Sequence, residues 1–336
     1  MTSLSFVVRL HNSARFARQA IESALGQDHP GLEVLVLDDA SSDGSADIAA
    51  STLAAYRGPH RTRLVRLTQN LGCGGALQAG VAAASGEAIV LADGDDLSEP
   101  GRAAAVAAAF ASGPSVMLVA HRQRPIDAEG RSLGEAEPLA AVSSLTDCIA
   151  YGRGLPGALS AYRRPLFERF APLDGLTHSE DWLLTVRALL LGEIRQIDAP
   201  LIRRRSHAGN VSGPTAALAA PSAFRAWYLR HDRAAFSAYA RLAQDVALQR
   251  SRDPLSSGIE TALAQGLRRL RLERAAAGLP LAGVPAWLKA YRALGIDRRA
   301  AWRHLAILRW PSSLLWLARR TPMRRAILQD VRQRAR

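Results

Sequence analysis

The stretch Ile89 to Pro100, IVLADGDDLSEP, runs four apolar residues into three aspartates, Asp93, Asp95 and Asp96, set around Gly94. Carboxylate oxygens suit hard divalent cations such as Mn or Mg, and those cations in turn suit diphosphates. Gly94 permits a tight turn and the close approach of a ligand to the backbone. A second acid pair, Asp38 and Asp39, ends another apolar run, LEVLVLDD. Each of these acids alone also suits a turn or a helix N-cap. Two acidic clusters at neighbouring strand ends are harder to account for, because like charges repel unless a cation or a donor lies between them. A third pair, Glu180 and Asp181 in HSEDW, opens a helical segment, where acids also oppose the helix dipole favourably. His207 follows Arg203, Arg204 and Arg205. Neutral imidazole binds divalent cations and guanidinium forks match phosphate, although a strand's period of two turns at least one of those arginines outward.

An alternating pattern positions these residues. SFVVRL (5–10) reads as a buried strand, and residues 13–27 read as a helix with Ser13 as N-cap and Phe16, Ala20, Ile21 and Ala24 on one face. Strands over 32–39, 62–68 and 87–93 then alternate with helices over 45–57 and 75–85. This alternation predicts an α/β fold, a mostly parallel sheet flanked by helices, with ligands beyond the carboxyl ends of the strands. His11 and Asn12, Asp38 and Asp39, Asn70, and the three aspartates all fall at that edge. From about residue 115 the pattern loosens. SVMLVAH reads as a strand, 157–170 as a strand running into a helix, 179–192 as a helix with Ser179 as N-cap, and 193–207 as one or two strands. Beyond 209–215 come Ala/Leu/Arg-rich helical segments broken at Pro254, Pro280, Pro285, Pro311 and Pro322. The expected division is a catalytic domain over 1–214 and a basic α-helical region over 215–336.

At 336 residues, 48% hydrophobic and 22% charged, the chain has the composition of a globular protein with a sizeable core. No run of about 18 apolar residues predicts a membrane span, and no signal-peptide pattern opens the chain, so a cytoplasmic location is expected. Cys73 and Cys148 form neither a disulfide framework nor a zinc signature. The net charge of +13 is uneven. Residues 1–214 hold 20 arginines against 23 acids, whereas 215–336 hold 23 basic residues against 7 acids. Nucleic-acid binding is one reading of such a surplus, but no recognised motif accompanies it, and no nucleic-acid partner is expected. The segment 296–336 mixes Trp302, Trp310 and Trp316 with leucines and arginines. That composition suits peripheral contact at the inner face of a membrane, and equally a helical appendage packed on the catalytic domain.

The N-terminal part resembles a family 2 glycosyltransferase of the GT-A fold. The resemblance runs through IESALGQDHPGLEVLVLDDASSDGS, NLGCGGALQAGVAAASGEAIVLADGDD, PGALSAYRRPLFERF, HSEDW and PLIRRRSHAGNVSG, covering roughly 4–213 in the family's order and spacing. It implies a nucleotide-sugar donor, UDP-linked by preference, and a saccharide or lipid-linked acceptor. Asp39 would accept a hydrogen bond from the base, with Asp38 supporting the turn and Asn12 and Asn70 beside them; Asp93 would lie near the ribose. Asp95, with Asp96 helping, would hold Mn or Mg on the diphosphate, and His207 would be a third ligand. Asp181 matches the general base, and Glu180 would organise the acceptor. An inverting transfer divides its work in this way, a base removing the acceptor proton while a cation stabilises the leaving diphosphate. The resemblance further implies hexosyl transfer in cell-surface polysaccharide or glycolipid assembly.

Some positions depart from the pattern. Where the family's first strand ends in Pro-Thr-Tyr-Asn, this chain reads Arg9-Leu10-His11-Asn12, and His11 replaces the usual ring near the base. Leu77-Gln78 stands where Arg-Asn is usual, so an arginine expected at the donor is missing. LRW at 308–310 lacks the glutamine of the element found in processive synthases, which favours single-sugar transfer. GCGGAL (72–77) fails the dinucleotide fingerprint at Leu77 and does not follow the first strand, which excludes a dehydrogenase of that type. A sugar-1-phosphate nucleotidyltransferase would want a glycine-rich basic loop where HNSARF stands. The remaining alternative is a non-catalytic nucleotide-sugar-binding or scaffold protein that keeps the fold without turnover.

Overall fold

A computed structural model gives the structure of the protein and describes residues 2–142, 144–173, 179–207, 209–210, 221–250, 258–276 and 284–294. The chain divides into two compact units, Met1–Val142 with Gly154–His207, and Ser143–Arg153 with Ala208–Arg336. The boundary thus falls at 207/208, against the expected 214/215, and an eleven-residue stretch from within the first region belongs to the second unit.

The first unit is built on an eight-stranded sheet in the order β3-β2-β1-β4-β7-β6-β8-β5. Its strands are β1 (Leu4–Leu10), β2 (Glu33–Asp38), β3 (Arg61–Arg66), β4 (Ala88–Asp93), β5 (Leu97–Ser98), β6 (Val116–Ile126), β7 (Ser160–Arg163) and β8 (Glu193–Arg205). Strands β1 to β4 are mutually parallel, β7 runs antiparallel to β4 and β6, and β8 runs parallel to β6. All of β2 is buried, as its unbroken apolar run requires of a strand covered on both faces. The outer strand β3 carries Arg61, Arg63 and Arg66 facing solvent, which blunts an open edge. Of the segment 193–207, Glu193–Arg205 forms one long strand that slips register against β6 around His121 and Arg122.

Helices α1 (Ala14–Leu25), α2 (Ser45–Ala55), α3 (Gly72–Ala83) and α4 (Arg102–Ala111) follow β1, β2, β3 and β5. Phe16, Ala17, Ala20, Ile21 and Ala24 of α1 are buried, close to the expected face, and all but Phe16 pack with Phe6, Val8 and Leu10 in the main core. Ser13 makes no side-chain cap; the Asp43 carboxylate accepts from Ala14 N at 2.9 Å in its place, so the cap comes from the loop after β2. Arg102 of α4 is fully buried, donating to Leu91 O and Ala158 O at 2.8 Å, to Ser98 Oγ at 3.0 Å and to His121 Nε2 at 2.8 Å. One guanidinium therefore ties β4, β5, β6 and the turn before β7 together, directly beneath the aspartate-rich loop. Burial, then the neighbouring Arg102 charge, pushes His121 well below its ordinary pKa, so it is the neutral acceptor of that bond.

In the second unit, α5 (Leu145–Tyr151) lies with three longer helices, α8 (Pro221–Arg250), α9 (Gly258–Ala276) and α10 (Val284–Arg292). Tyr239 donates to Ile149 O and Arg269 Nε to Ala150 O at 3.3 Å, bonds that draw α5 out of the domain that surrounds it in sequence. Gly152 closes α5 at φ +65°, and an added Cβ there would stand 2.7 Å from Arg269 Nη2. Pro285 lies at the start of α10 instead of breaking a helix, a place where its missing N–H costs nothing. Pro254, Pro280, Pro311 and Pro322, and the segment 296–336 with its expected membrane contact, lie outside the described residues. Among the described residues no helix is long and apolar enough to cross a membrane.

Candidate functional site

The parallel register decides what gathers at the carboxyl edge. Leu10 pairs with Asp38, and Arg9 with Asp93, so the ends of β1, β2 and β4 lie level. Phe6, Val8 and Leu10 enter the core with α1, which sends Val7 and Arg9 to the opposite face, where Gly80 of α3 lies against Val7. Arg9 Nη2 donates to Asp93 Oδ1 at 2.7 Å, and Nη1 donates to Cys73 O at 3.0 Å and reaches Glu180 Oε1 at 3.4 Å. The Arg9 side chain is only 12% exposed. Burial by itself would lower its pKa, but Asp93, Cys73 and Glu180 hold it above the ordinary arginine value. Burial, then the nearby acids, pushes the Cys73 thiol up to about 12 and keeps it neutral.

The acids opposite belong to α7 (Glu180–Leu191), which follows the one-turn helix α6 (Pro165–Glu168). Trp182, Leu183, Leu184 and Val186 anchor α7 in the core. Gly154 lets the chain pass against this helix, since an added Cβ would stand 2.7 Å from Trp182 Cα. Leu155 N donates to Thr185 Oγ1 at 3.0 Å and fixes the contact. Ser179, expected as N-cap, makes no side-chain cap bond; Asp181 Oδ1 accepts from Trp182 N at 2.7 Å. Glu180 is buried, and among the described residues its Oε2 has no hydrogen-bond partner. Burial raises its pKa and Arg9 opposes that rise. Asp181 is half-buried; burial and then the Glu180 charge push it up to about 8, against the pull of Trp182 N, Arg9 and Arg204.

At the ends of β1 and β2 the backbone is held in unusual conformations. Asn12 (φ +50°) and Ala40 (φ +53°) both lie in the left-handed region, which asparagine tolerates and alanine seldom adopts. Asn12 Oδ1 accepts from Ser42 N at 2.9 Å, and Asp38 Oδ2 accepts from Ser41 N at 3.1 Å. Asp38 Oδ1 is buried without a hydrogen-bond partner among the described residues. Asp39 is 4% exposed, and its carboxylate accepts from Leu71 N at 2.7 Å and Gly72 N at 3.1 Å, pinning the start of α3 to the end of β2. Each of its oxygens keeps a second lone pair. Asn70 is exposed, and its amide reaches His11 Nε2 at 3.0 Å while His11 Nδ1 lies 2.8 Å from Asp39 O. An imidazole ring therefore lies between the ends of β1 and β2, fixed on two sides.

The loop after β4 separates its aspartates. An added Cβ on Gly94 would stand 2.9 Å from Arg9 O and 2.5 Å from Leu10 Cδ2, so the close approach that glycine serves here is that of β1. Asp96 turns inward: it is 5% exposed and its Oδ1 accepts from Arg205 N at 2.7 Å. Burial, then the Asp95 charge, raises its pKa well above the carboxylate range. Asp95 faces the other way, with Oδ2 3.0 Å from His207 Nε2. Arg205 locks the arrangement through Nε to Asp95 O at 2.8 Å and Nη2 to Gln19 Oε1 at 2.9 Å, and its guanidinium lies 4.7 Å from the Phe16 ring centre. His207 packs on the same ring at 4.6 Å. Arg203, half-exposed, pairs with Glu99 at 3.2 Å on the opposite side of the strand from Arg204, whose charge is felt by Asp96 and Asp181.

Among the described residues no group of three or more His, Cys, Asp or Glu side chains forms a metal cage. Asp95 and His207 still suit a cation of the Mn or Mg type, which binds through few protein ligands and completes its shell with water and phosphate oxygens. Asp96, engaged with the β8 backbone, suits the supporting role. Arg9 is the site residue that sequence reasoning passed over. For Arg9 a signal was present: a lone charge in an apolar strand, in register with Asp93. In the three-arginine run the buried member is Arg205, with Arg204 half-buried, and the run alone did not tell which would turn inward.

Residues 5–148 match the model of Glycosyl transferase family 2. An uncharacterized glycosyltransferase of Nostoc sp. is 30% identical over 220 residues, 62% of this chain and 66% of the relative. The succinoglycan biosynthesis protein ExoO of Rhizobium meliloti is 34% identical over 211 residues, 56% of each chain. The chain thus spans less than two thirds of the length of either relative. Among solved structures, S. aureus TarS 1-349 in complex with UDP-GlcNAc matches at TM-score 0.56 and 20% identity, over 99% of this chain and 90% of that one. The mannosyltransferase PcManGT from Pyrobaculum calidifontis, in complex with GDP-Man and Mn2+, matches at 0.55 and 23%, over 99% and 85%. These likenesses show the fold, which is GT-A.

Proposed function

Because this chain belongs to glycosyl transferase family 2 through residues 5–148, we propose that it transfers a hexose, with inversion, from a nucleotide-diphosphate sugar to an acceptor hydroxyl in polysaccharide or glycolipid assembly. The observation that supports this most is the bridge at Arg9, which joins Asp93 of β4 to Glu180 of α7. In this reading the donor lies across the ends of β1, β2 and β4. His11 and Asn70 offer a ring and an amide beside the base, Asp38, Asp39 and Asn12 shape the loops that receive it, and Asp93 meets the ribose. Asp95 and His207 hold Mn or Mg, which when bound neutralises charge on the departing diphosphate.

The acceptor hydroxyl then lies against Asp181. Its raised pKa makes Asp181 a stronger base than an ordinary carboxylate, at the cost of being ionised only at the alkaline side of neutrality. Glu180 Oε2, without a hydrogen-bond partner among the described residues, offers an acceptor beside it. Transfer is of a single sugar. UDP-linked donors come first, and the TarS complex with UDP-GlcNAc makes that sugar a natural opening probe.

A panel of UDP-, GDP- and dTDP-sugars, assayed for nucleoside diphosphate release with Mn or Mg, tests the reading. Turnover with at least one donor, lost on chelation and in Asp181→Asn and Asp95→Ala, supports it. Nucleotide binding without turnover across the panel and a range of acceptors would favour the scaffold alternative.

A further inference from the structure

Arg9 stands in a strand whose flanking residues, Val8 and Leu10, are fully buried. A cation in such a place is stable only when acids or carbonyls satisfy it, and its removal leaves those acids exposed to one another. Its partners come from three elements: Asp93 Oδ1 on β4 at 2.7 Å, Cys73 O on α3 at 3.0 Å and Glu180 Oε1 on α7 at 3.4 Å. A guanidinium is a flat fork with fixed donor directions, so shifting one acceptor turns the plane and disturbs the others. Asp93 belongs to the donor side and Glu180 to the acceptor side. The other titratable and charged groups facing this cluster are Asp181 of α7, the Cys73 thiol of α3, Tyr162 of β7 and Arg204 of β8, with Asp96 and Arg102 on the side of Asp93.

We propose that Arg9 is a positioning residue for the transfer: one guanidinium holds the donor-side Asp93 and the acceptor-side Glu180 in a single ionised network and so aligns Asp181 with the sugar. The proposal rests on the reading of the site as a glycosyl-transfer centre. Without Arg9, the buried Glu180 carboxyl and the half-exposed Asp93 lose the cation between them. Glu180 then favours its neutral form, and the hydroxyl-facing edge of α7 loses its tie to β4. Lysine offers one ammonium point charge and cannot span both acids as the fork does.

The test uses the full chain with Arg9→Lys and Arg9→Met, and two readouts. The first is a carbon NMR titration of the side-chain carboxyls, with Glu180→Gln and Asp181→Asn for assignment. Arg9→Met should raise the midpoints of Glu180 and Asp181, and Arg9→Lys should raise them less. The second is steady-state diphosphate release. Arg9→Met should lower kcat by about 100-fold while moving donor KM by less than about threefold, the pattern of lost alignment with binding kept. Combining Arg9→Met with Glu180→Gln should add little to either single loss. Unchanged midpoints in the variants, or kcat held within about threefold, overturn the proposal. If the wild type releases no diphosphate from any donor, the assigned reaction fails and the titration alone decides the role of Arg9. If Arg9→Met does not fold, Arg9→Lys carries both readouts.

Discussion

The pH dependence of turnover follows from the surroundings of Asp181. Burial and the Glu180 charge push its carboxyl up to about 8. With a midpoint there, about one tenth of the sites carry the carboxylate at pH 7 and about nine tenths at pH 9, so kcat/KM rises roughly tenfold between them. An ordinary carboxylate would give a flat profile above about pH 6. The assay is kcat/KM for diphosphate release from pH 6 to 9.5 at saturating cation, because that parameter reports the free enzyme. Glu180→Gln removes the like charge next door and should move the acid limb to lower pH. A flat profile over this range, or a limb that ignores Glu180→Gln, would refute the assignment of Asp181 as the base.

Other expectations follow from the same contacts. Asp181 has a folded-state pKa above its unfolded value, so its contribution to stability is greatest at low pH and is lost as pH climbs towards about 8. Asp181→Asn should therefore raise Tm more at pH 8.5 than at pH 5, while lowering kcat by about 100- to 10,000-fold, as removal of a general base does. Asp95→Asn should weaken Mn activation by at least about 100-fold, as a direct ligand should, whereas Asp96→Asn keeps the acceptor for Arg205 N and should leave activation nearly unchanged. Arg102→Met strips donors from Leu91 O, Ala158 O and His121 Nε2 and should cost about 3 kcal/mol or more by denaturant unfolding.

The parallel half of the fold was legible because its strands and helices obey clean periods and are separated by polar turns. The edge residues followed, since the end of each such strand is fixed by where its apolar run stops. Three elements escaped reading. Helix α4 is mostly alanine and opens after Gly101 with no side-chain cap, so little marked its start. Strand β5 has two residues and exists through its pairing with β8. Helix α5 owes its place to contacts with α8 and α9, more than a hundred positions later for Arg269. In the site, residue type announced the acids but not their direction. Asp95 and Asp96 are neighbours in sequence and face opposite ways, because one meets His207 and the other the backbone of Arg205. The helix caps failed for a similar reason: Ser13 stands in the right place, yet Asp43 from another loop reaches the amide first. Arg9 was visible as an oddity, but its partners come from positions 73, 93 and 180, and only the sheet register unites them.

The most direct measurement is the anomeric configuration of the sugar first released from an α-linked nucleotide sugar, followed by proton NMR in the presence of Mn. A base at Asp181 facing a diphosphate held across the site predicts the β anomer first, with the signal abolished in Asp181→Asn. Initial appearance of the α anomer, or release undiminished in Asp181→Asn, would contradict the account.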